Sequence, residues 1–518
     1  MPLAVVIALT VGVPALLAGV SGSLAIPHND SWAYSLIAQR FAGSGSITLV
    51  GANRAFLLGQ VVLLAPFGTS ILAEQVGVAV LAAVAIAATF LLLRTAMSRN
   101  RALFATLIVG VFLGFGLLAT SFMEDVPAYC AIVATLVIGQ IAIKRRSIAG
   151  VGIALAVGVW GFTIREQALA GVVCVLVAAF FSWRDRESRR KLWILIVLGL
   201  AAVVALEAWR QSLANAETPG ITLHEWRSGV RLSIAAIFTL GLAVLPATVA
   251  VSRPSAWSVK ARWAAGITAA AGAVVAAKYQ TVLMGNYLDW HGAYSIMSVG
   301  TRDVLPHVAL LALQGAAWIG GILLVGTVID ARRSVGLVIG LFGLLTAVGT
   351  IFEALAGQPV FDRYLLPLMP VALILVLGAS SSMPISRRRV LGAAATLAGV
   401  GAVSLAITVN ALSFDAARWN AAQGLVSRGI PPASIDAGFE WAGYHYAGRT
   451  AQASRSVGRV SPPWYTRFFP GAPECYVIAA SPQRSLGRLV GIHDYHTFLA
   501  FGHGRVLTYK TGRCQARN

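Results

Sequence analysis

Charge is scarce in this chain. Only 12% of its 518 residues are Asp, Glu, Lys or Arg, against about a quarter in soluble domains, which excludes an ordinary water-soluble fold. Alternating apolar and polar residues, the pattern of a membrane barrel strand, are lacking too. Instead, apolar runs of about 20 residues recur, the length a helix needs to cross a bilayer of roughly 30 Å. Carboxylates are few, 20 against 40 Lys and Arg, for a net charge of +20. That sign raises nucleic acid as a partner. The distribution argues against it, because much of the positive charge sits in short clusters between apolar runs, where it carries topology. Cysteine is also sparse, with four residues and no zinc-type spacing of Cys and His. Cys130 and Cys174 fall within apolar runs, where packing is the expected role.

The basic clusters are Arg94/Arg99/Arg101, Lys144/Arg145/Arg146, Arg184 to Lys191, Arg253/Lys260/Arg262, Arg332/Arg333 and Arg387/Arg388/Arg389. Successive clusters are separated by enough apolar sequence for two spans and a turn. Placing every cluster in the cytoplasm gives one N-in arrangement with about 13 spans, at 3–25, 74–93, 102–120, 126–143, 147–164, 168–183, 192–209, 231–252, 263–284, 307–329, 335–353, 364–383 and 390–411. The first segment ends in Ser-Leu-Ala, but it has no basic n-region and its apolar run is long for a signal peptide, so a retained span is expected. The six clusters hold 19 of the 40 basic residues but only three carboxylates, Asp185, Glu187 and Asp330. The other 17 fall on or near the outer side, a bias that the positive-inside rule does not produce.

The expected fold class is an all-α polytopic membrane protein with a small exoplasmic C-terminal α/β domain. Residues 1–411 form the membrane domain. Within it, 26–73 is a first exoplasmic loop whose stretch "AFLLGQVVLLAPFG" reads as an interfacial helix. Residues 412–518 form the tail, which mixes helix-like "DAARWNAAQGLVSRG" with strand-like "CYVIAA" and "GRVLTYK". An exoplasmic tail is oxidising, so Cys475 and Cys514 are expected to form a disulfide. The Ala, Val, Arg and Gly bias is that of a high-GC bacterium, making the bacterial plasma membrane the expected location.

Ionisable groups at membrane depth are costly and mark functional candidates. In this arrangement they converge on the outer side. Asp30 follows the first span in "HNDSWAY", beside Trp32 and Tyr34; Glu124 and Asp125 precede the fourth in "FMEDVPAY". Arg165 lies in the turn "REQ", Lys278 at the end of the ninth span, Asp289 and His291 in "NYLDWHGAY", and Asp362, Arg363 and Tyr364 at the mouth of the twelfth. Arginine forks pair with phosphate oxygens. Carboxylates deprotonate a hydroxyl, hold a divalent cation or fix sugar hydroxyls. Aromatic rings stack on sugars or mark the interface. Trp441, Tyr444 and His445 of the tail are read as core.

"HNDSWAY", "FMEDVPAY", the "REQ" turn and "DRYLLPLMP", in this order, resemble the GT-C glycosyltransferases, in particular the protein O-mannosyltransferase and aminoarabinose-transferase type with its bacterial relatives. The resemblance covers most of the membrane domain. It implies an inverting transfer of a sugar from a polyprenyl-phosphate donor to a hydroxyl of a glycan, lipid or protein acceptor. By it, Asp30 matches the catalytic or acceptor-orienting aspartate, Asp125 the second acidic position with Glu124 beside it, and Arg363 the arginine near the lipid phosphate, with Arg165 or Lys278 assisting. Trp32, Tyr34, Asp289, His291, Asp362 and Tyr364 are the expected substrate contacts. The paired first-loop acids of many relatives are absent, since Asn29 and Ser31 flank Asp30. A divalent cation (Mg, Mn or Ca) on Asp30 and Asp125 stays open as a variant. The rival readings are a transporter or lipid flippase, which would place polar groups near the midplane in repeated halves, and a non-catalytic membrane scaffold.

Overall fold

The computed structural model describes residues 1–50, 58–213, 226–289, 291, 298–302, 304–330, 336–358, 360–378, 386–446, 475–498 and 503–512. Its helices are α1 (Leu3–Ile7), α2 (Val13–Val20), α3 (Ser31–Ser44), α4 (Leu58–Leu64), α5 (Ile71–Arg94), α6 (Arg99–Gly110), α7 (Phe115–Leu118), α8 (Asp125–Arg145), α9 (Ile148–Phe162) and α10 (Leu169–Ser182). There follow α11 (Arg186–Ser212), α12 (Trp226–Ala243), α13 (Leu245–Val251), α14 (Val259–Tyr279), α15 (His307–Asp330), α16 (Leu337–Leu355), α17 (Met369–Leu373), α18 (Arg387–Val426) and α19 (Phe439–Tyr446).

Among the described residues, seven helices are long and apolar enough to cross a membrane: Leu3–Val20, α5, α8, α11, α15, α16 and α18. The α12 and α13 pair, bent by 67°, makes an eighth if it is one span. Among the described residues each expected span lies largely on helix, but several are short or broken. The 102–120 span divides into α6 and α7 because Gly114 takes a left-handed φ of 95°, with the Tyr287 ring against its open side. The 364–383 span begins as a 3-10 turn, Asp362–Leu368, which holds Pro367, and passes through α17 into a π-turn, Ile374–Gly378. In the first loop, "HNDSWAY" leads directly into α3, which the sequence reading leaves as loop. The apolar stretch after it forms α4 and a 3-10 turn, Ala65–Phe67.

The two ends of the bundle differ in chemistry. At one end the basic clusters are tied down by backbone carbonyls and caps. Arg101 donates to the Leu377 carbonyl (3.3 Å), Trp183 Nε1 to Ile143 (3.3 Å), and the Ser258 N–H to Asp330 (2.8 Å). At the other end lie the acidic and arginine residues and the tail. Helix α18 is continuous for 40 residues, so the expected domain boundary at 411 falls inside one helix. Beyond it stand β1 (Ile435–Asp436), β2 (Tyr476–Ala479), β3 (Arg488–His496) and β4 (His503–Lys510), in the order β1-β2-β4-β3. The β1–β2 pair is parallel and the others antiparallel. Asn410 binds this module to the bundle by donating to the Val304 and Phe498 carbonyls (2.7 and 3.0 Å) and accepting the Phe498 N–H (2.6 Å). Cys475 is disulfide-bonded, and Cys514 lies outside the described residues. Cys130 and Cys174 are free and buried.

Helices α12 and α15 cross at glycine. A Cβ at Gly241 would lie 2.3 Å from the Gly321 nitrogen, and one at Gly320 would lie 2.5 Å from the Gly241 oxygen. Backbone cannot yield as a side chain does, so this crossing depends on hydrogen at both Cα atoms. Small residues let helices approach in this way within membranes. Gly241→Val is expected to destabilise the protein by about 1–3 kcal/mol, read as a lowered thermal midpoint in detergent. Gly266→Ala, with open space around it, should leave the midpoint unchanged.

Candidate active site

Four separate parts of the chain meet at the tail end of the bundle. The start of α8 supplies Glu124 and Asp125, and the turn between α9 and α10 supplies Arg165. The 3-10 turn before α17 supplies Arg363 and Tyr364, and the entry to α3 supplies Asp30 and Tyr34. Asp125 is at the centre. Its Oδ1 accepts a close hydrogen bond from Arg165 Nη1, and Arg363 Nε lies 3.5 Å away on the same oxygen. Both arginines and Asp125 are buried. Burial of a charge is tolerated only when it is paired, so the two guanidinium groups depend on Asp125 and on the carboxyl groups beside it. Glu124 is one of these, 3.8 Å from Arg165 Nε.

Aromatic rings wall this pair of cations. The Arg165 guanidinium lies 4.0 Å over Tyr364, and Arg363 lies 5.1 Å from Phe361 and 5.7 Å from Tyr364. A cavity of about 10 Å³, room for about one water, sits between Asp125, Tyr129, Arg165, Gln167 and Arg363. Tyr34 is buried and donates to Glu124 Oε2 across 3.5 Å. Asp30 is partly buried at the N-terminus of α3, and Asn29 Nδ2 donates to its Oδ2 (3.3 Å). Burial pushes the Asp30 carboxyl up to about 6; Arg363 opposes the rise, and Glu440 and Asp125 add to it. Burial likewise pushes Glu124 up to about 7, against the pull of Arg165.

An apolar cavity of about 450 Å³ opens between α12, α16 and residues 360–368. Ile234, Leu240, Ile351, Leu355, Leu365 and Leu368 are among its lining. Leu365 is two positions from Arg363, so one short turn carries both the apolar wall and the cation.

The other sequence candidates divide by what they touch. Asp362 is fully buried and accepts the N–H groups of Tyr287, Leu288 and Arg363 (2.8, 2.9 and 2.7 Å). It therefore pins the 285–288 loop to the turn that carries Arg363, where a substrate contact was expected. Trp32 also departs from expectation. It is 1% exposed, edge-on to Phe439, and a Cβ at Gly443 would strike its ring at 2.3 Å. The tail helix α19 seals it, so its face is not open to a sugar. Asp289 accepts the His291 N–H (3.0 Å), and His291 Nδ1 faces the Arg302 carbonyl (3.1 Å), a local loop closure. Lys278 is exposed, with its ammonium 5.3 Å over Tyr279; Arg231, between groove-lining Val230 and Leu232, lies 4.7 Å over the same ring. Trp441 is fully buried in the tail core, 4.7 Å from Trp419 and 4.2 Å from His445. Burial pushes His445 down to about 4.

A divalent cation does not suit these donors. Asp125 already faces two guanidinium groups, which would repel one, and no three His, Cys, Asp or Glu side chains among the described residues converge on a common point.

A second buried polar set escaped the sequence reading: His28, Asp415, Arg418 and Glu440, all less than a tenth exposed. A signal was present, since Asp415 and Arg418 stand at i and i+3 just past the apolar stretch of α18. Their partners, 387 and 22 residues away in sequence, were not readable.

The family model described as dolichyl-phosphate-mannose-protein mannosyltransferase matches residues 55–209, which hold Glu124, Asp125 and Arg165. Among solved structures, ArnT from Cupriavidus metallidurans bound to undecaprenyl phosphate is similar at 14% identity and a TM-score of 0.45, over 98% of this chain and 99% of that one. The oligosaccharyltransferase of Archaeoglobus fulgidus in the apo form is similar at 14% identity and a TM-score of 0.38, over 79% of this chain and 57% of that one. No curated protein sequence matches. The family match supports the resemblance to GT-C glycosyltransferases.

Removing the shared carboxylate would leave two buried guanidinium groups facing each other. Asp125→Ala is expected to cost about 3–5 kcal/mol, as breaking a buried pair does, and to lower the thermal midpoint in detergent. Glu124→Gln, at a longer distance and with a more exposed carboxyl, should lower it less.

Proposed function

We propose that this protein is an inverting membrane glycosyltransferase that moves a sugar from a polyprenyl-phosphate donor to an acceptor hydroxyl at the exoplasmic face. The observation that carries the reading is the turn at 360–368, which bears buried Arg363 and, through Val360, Leu365 and Leu368, one wall of an apolar cavity. A lipid phosphate matches that pairing, with its isoprenoid chain against Leu365 and Leu368 and its phosphate at the guanidinium. The cavity volume, about 450 Å³, is in the range of small-molecule sites and would hold the phosphate-proximal part of such a chain.

In the proposed step the Asp30 carboxylate takes the proton of the acceptor hydroxyl. The acceptor oxygen forms its bond to the anomeric carbon as the bond from that carbon to the phosphate oxygen breaks. The electron pair leaves with the polyprenyl phosphate, and the configuration inverts. Arg363 and Arg165 hold the charge that develops on the leaving phosphate. Fixed cations in a water-poor site commonly give the largest stabilisation of such a transition state. Two guanidinium groups side by side suit an anionic leaving group. Asp125 then fixes both guanidinium groups, and Tyr364 supports them from one side.

Asp30→Asn is expected to lower transfer about 100- to 10,000-fold, the usual worth of a general base, with undecaprenyl phosphate still bound. Transfer from a panel of undecaprenyl-phosphate hexoses and pentoses, assayed in membranes, measures it; full activity in that variant would overturn the reading. Arg363→Ala should weaken undecaprenyl phosphate binding at least about tenfold, as loss of a charge-assisted contact of about 1.5–3 kcal/mol implies. The pH profile gives a further test. A base must be deprotonated, and Asp30 titrates near 6, so the rate should be maximal above that pH and fall as the medium is acidified through it.

A further inference from the structure

Two consecutive residues at the entry to α3, His28 and Asn29, are held by Asp415 of α18 and Glu440 of α19. His28 Nδ1 pairs with Asp415 Oδ2 at 2.8 Å, and His28 Nε2 faces the Ser23 carbonyl at 3.1 Å. The Asn29 N–H donates to Glu440 Oε1 (3.3 Å), and the Asn29 side chain donates to Asp30. Arg418 closes the set. Its Nη2 donates to Asp415 Oδ1 and to Glu440 Oε2, both at 2.9 Å, and its Nη1 to the Ala437 carbonyl at 2.8 Å. Glu440 is 1% exposed and lies on α19, the helix that covers Trp32.

The backbone at this point is unusual. Asn29 has φ of 51°, in the left-handed region that asparagine enters more readily than other non-glycine residues. The turn aims the following residue, Asp30, toward Arg363 and Asp125. Buried ion networks are poor sources of net stability, since well-packed apolar residues often do as well or better. This one joins the tail to the left-handed turn immediately before Asp30, and a positioning role accounts for its placement.

We propose that Glu440 is a positioning residue for Asp30: by accepting the Asn29 N–H while anchored to Arg418, it fixes the left-handed turn and makes the site competent only with the tail helix seated on α3. The proposal rests on Asp30 as the base. The charged and titratable groups facing Asp30 are Arg363 from the 3-10 turn, Asp125 from α8, Tyr34 from α3 and Glu440 from α19. Of these, Glu440 and Asp125 hold protons on Asp30 and Arg363 removes them.

The test compares wild type, Asp30→Asn, Glu440→Gln, Glu440→Ala and the exposed tail control Arg505→Ala in full-length protein. Turnover uses the undecaprenyl-phosphate sugar that the wild type transfers. Glu440→Gln should keep undecaprenyl phosphate affinity and KM for the donor, lose at least fivefold in kcat, and move the acidic limb of the pH profile downward. Glu440→Ala should lose more, and Arg505→Ala nothing. Independently of turnover, the Asn29 amide should exchange with solvent at least tenfold faster in Glu440→Ala, with α8 protection unchanged. Wild-type kcat and pH profile in Glu440→Gln, or unchanged exchange at Asn29 in Glu440→Ala, would overturn the proposal while leaving Asp30 as base. Full activity in Asp30→Asn would overturn the underlying reading instead.

Discussion

One carboxylate shared by two buried guanidinium groups governs the arrangement of this protein. Asp125 can sit where it does only because Arg165 and Arg363 reach it, and they can be buried only because it is there. Each comes from a different stretch of chain, so satisfying one buried charge draws together the starts of α8, the α9–α10 turn and the 3-10 turn before α17. The aromatic ring of Tyr364 and the carboxyl of Glu124 fill the remaining sides. The turn that carries Arg363 also walls an apolar cavity through Leu365 and Leu368. The proposed donor phosphate would meet both guanidinium groups there.

Much of this was legible in the sequence, for physical reasons. The cost of charge in a bilayer makes each intramembrane or juxtamembrane ionisable residue conspicuous, and the basic clusters sort the chain into two ends. Asp30, Asp125, Arg165 and Arg363 stood out on those grounds, and the structure gathers them at one end. Broken helices were less visible. An apolar run reads the same whether it is a straight helix or is interrupted, as at Gly114 or across the 3-10 and π turns around α17.

The roles of Trp32 and Asp362 could not be read for a different reason. Both sit in motifs whose composition suggests ligand contact, yet what decides their function is the neighbour that covers them. Asp362 spends its oxygens on three backbone N–H groups, and Trp32 lies under Gly443, about 400 residues later in the chain by simple count. The same distance hid the His28–Asp415 and Asn29–Glu440 pairs. Local patterns report periodicity and cost of burial; they do not report which remote group arrives to meet it.

The unbroken course of α18 has a consequence for how this chain can be divided. A helix that begins among the basic residues Arg387–Arg389 and ends at Val426 gives no hinge at the sequence boundary near 411. Cutting there separates Asn410 from Asp415 and Arg418, and so severs the partners of His28 from the loop they hold. A chimera that preserves this loop therefore keeps α18 whole and retains Glu440 of α19 with it. In architectural terms the last span is less a tether for an outer module than a post on which both halves are mounted.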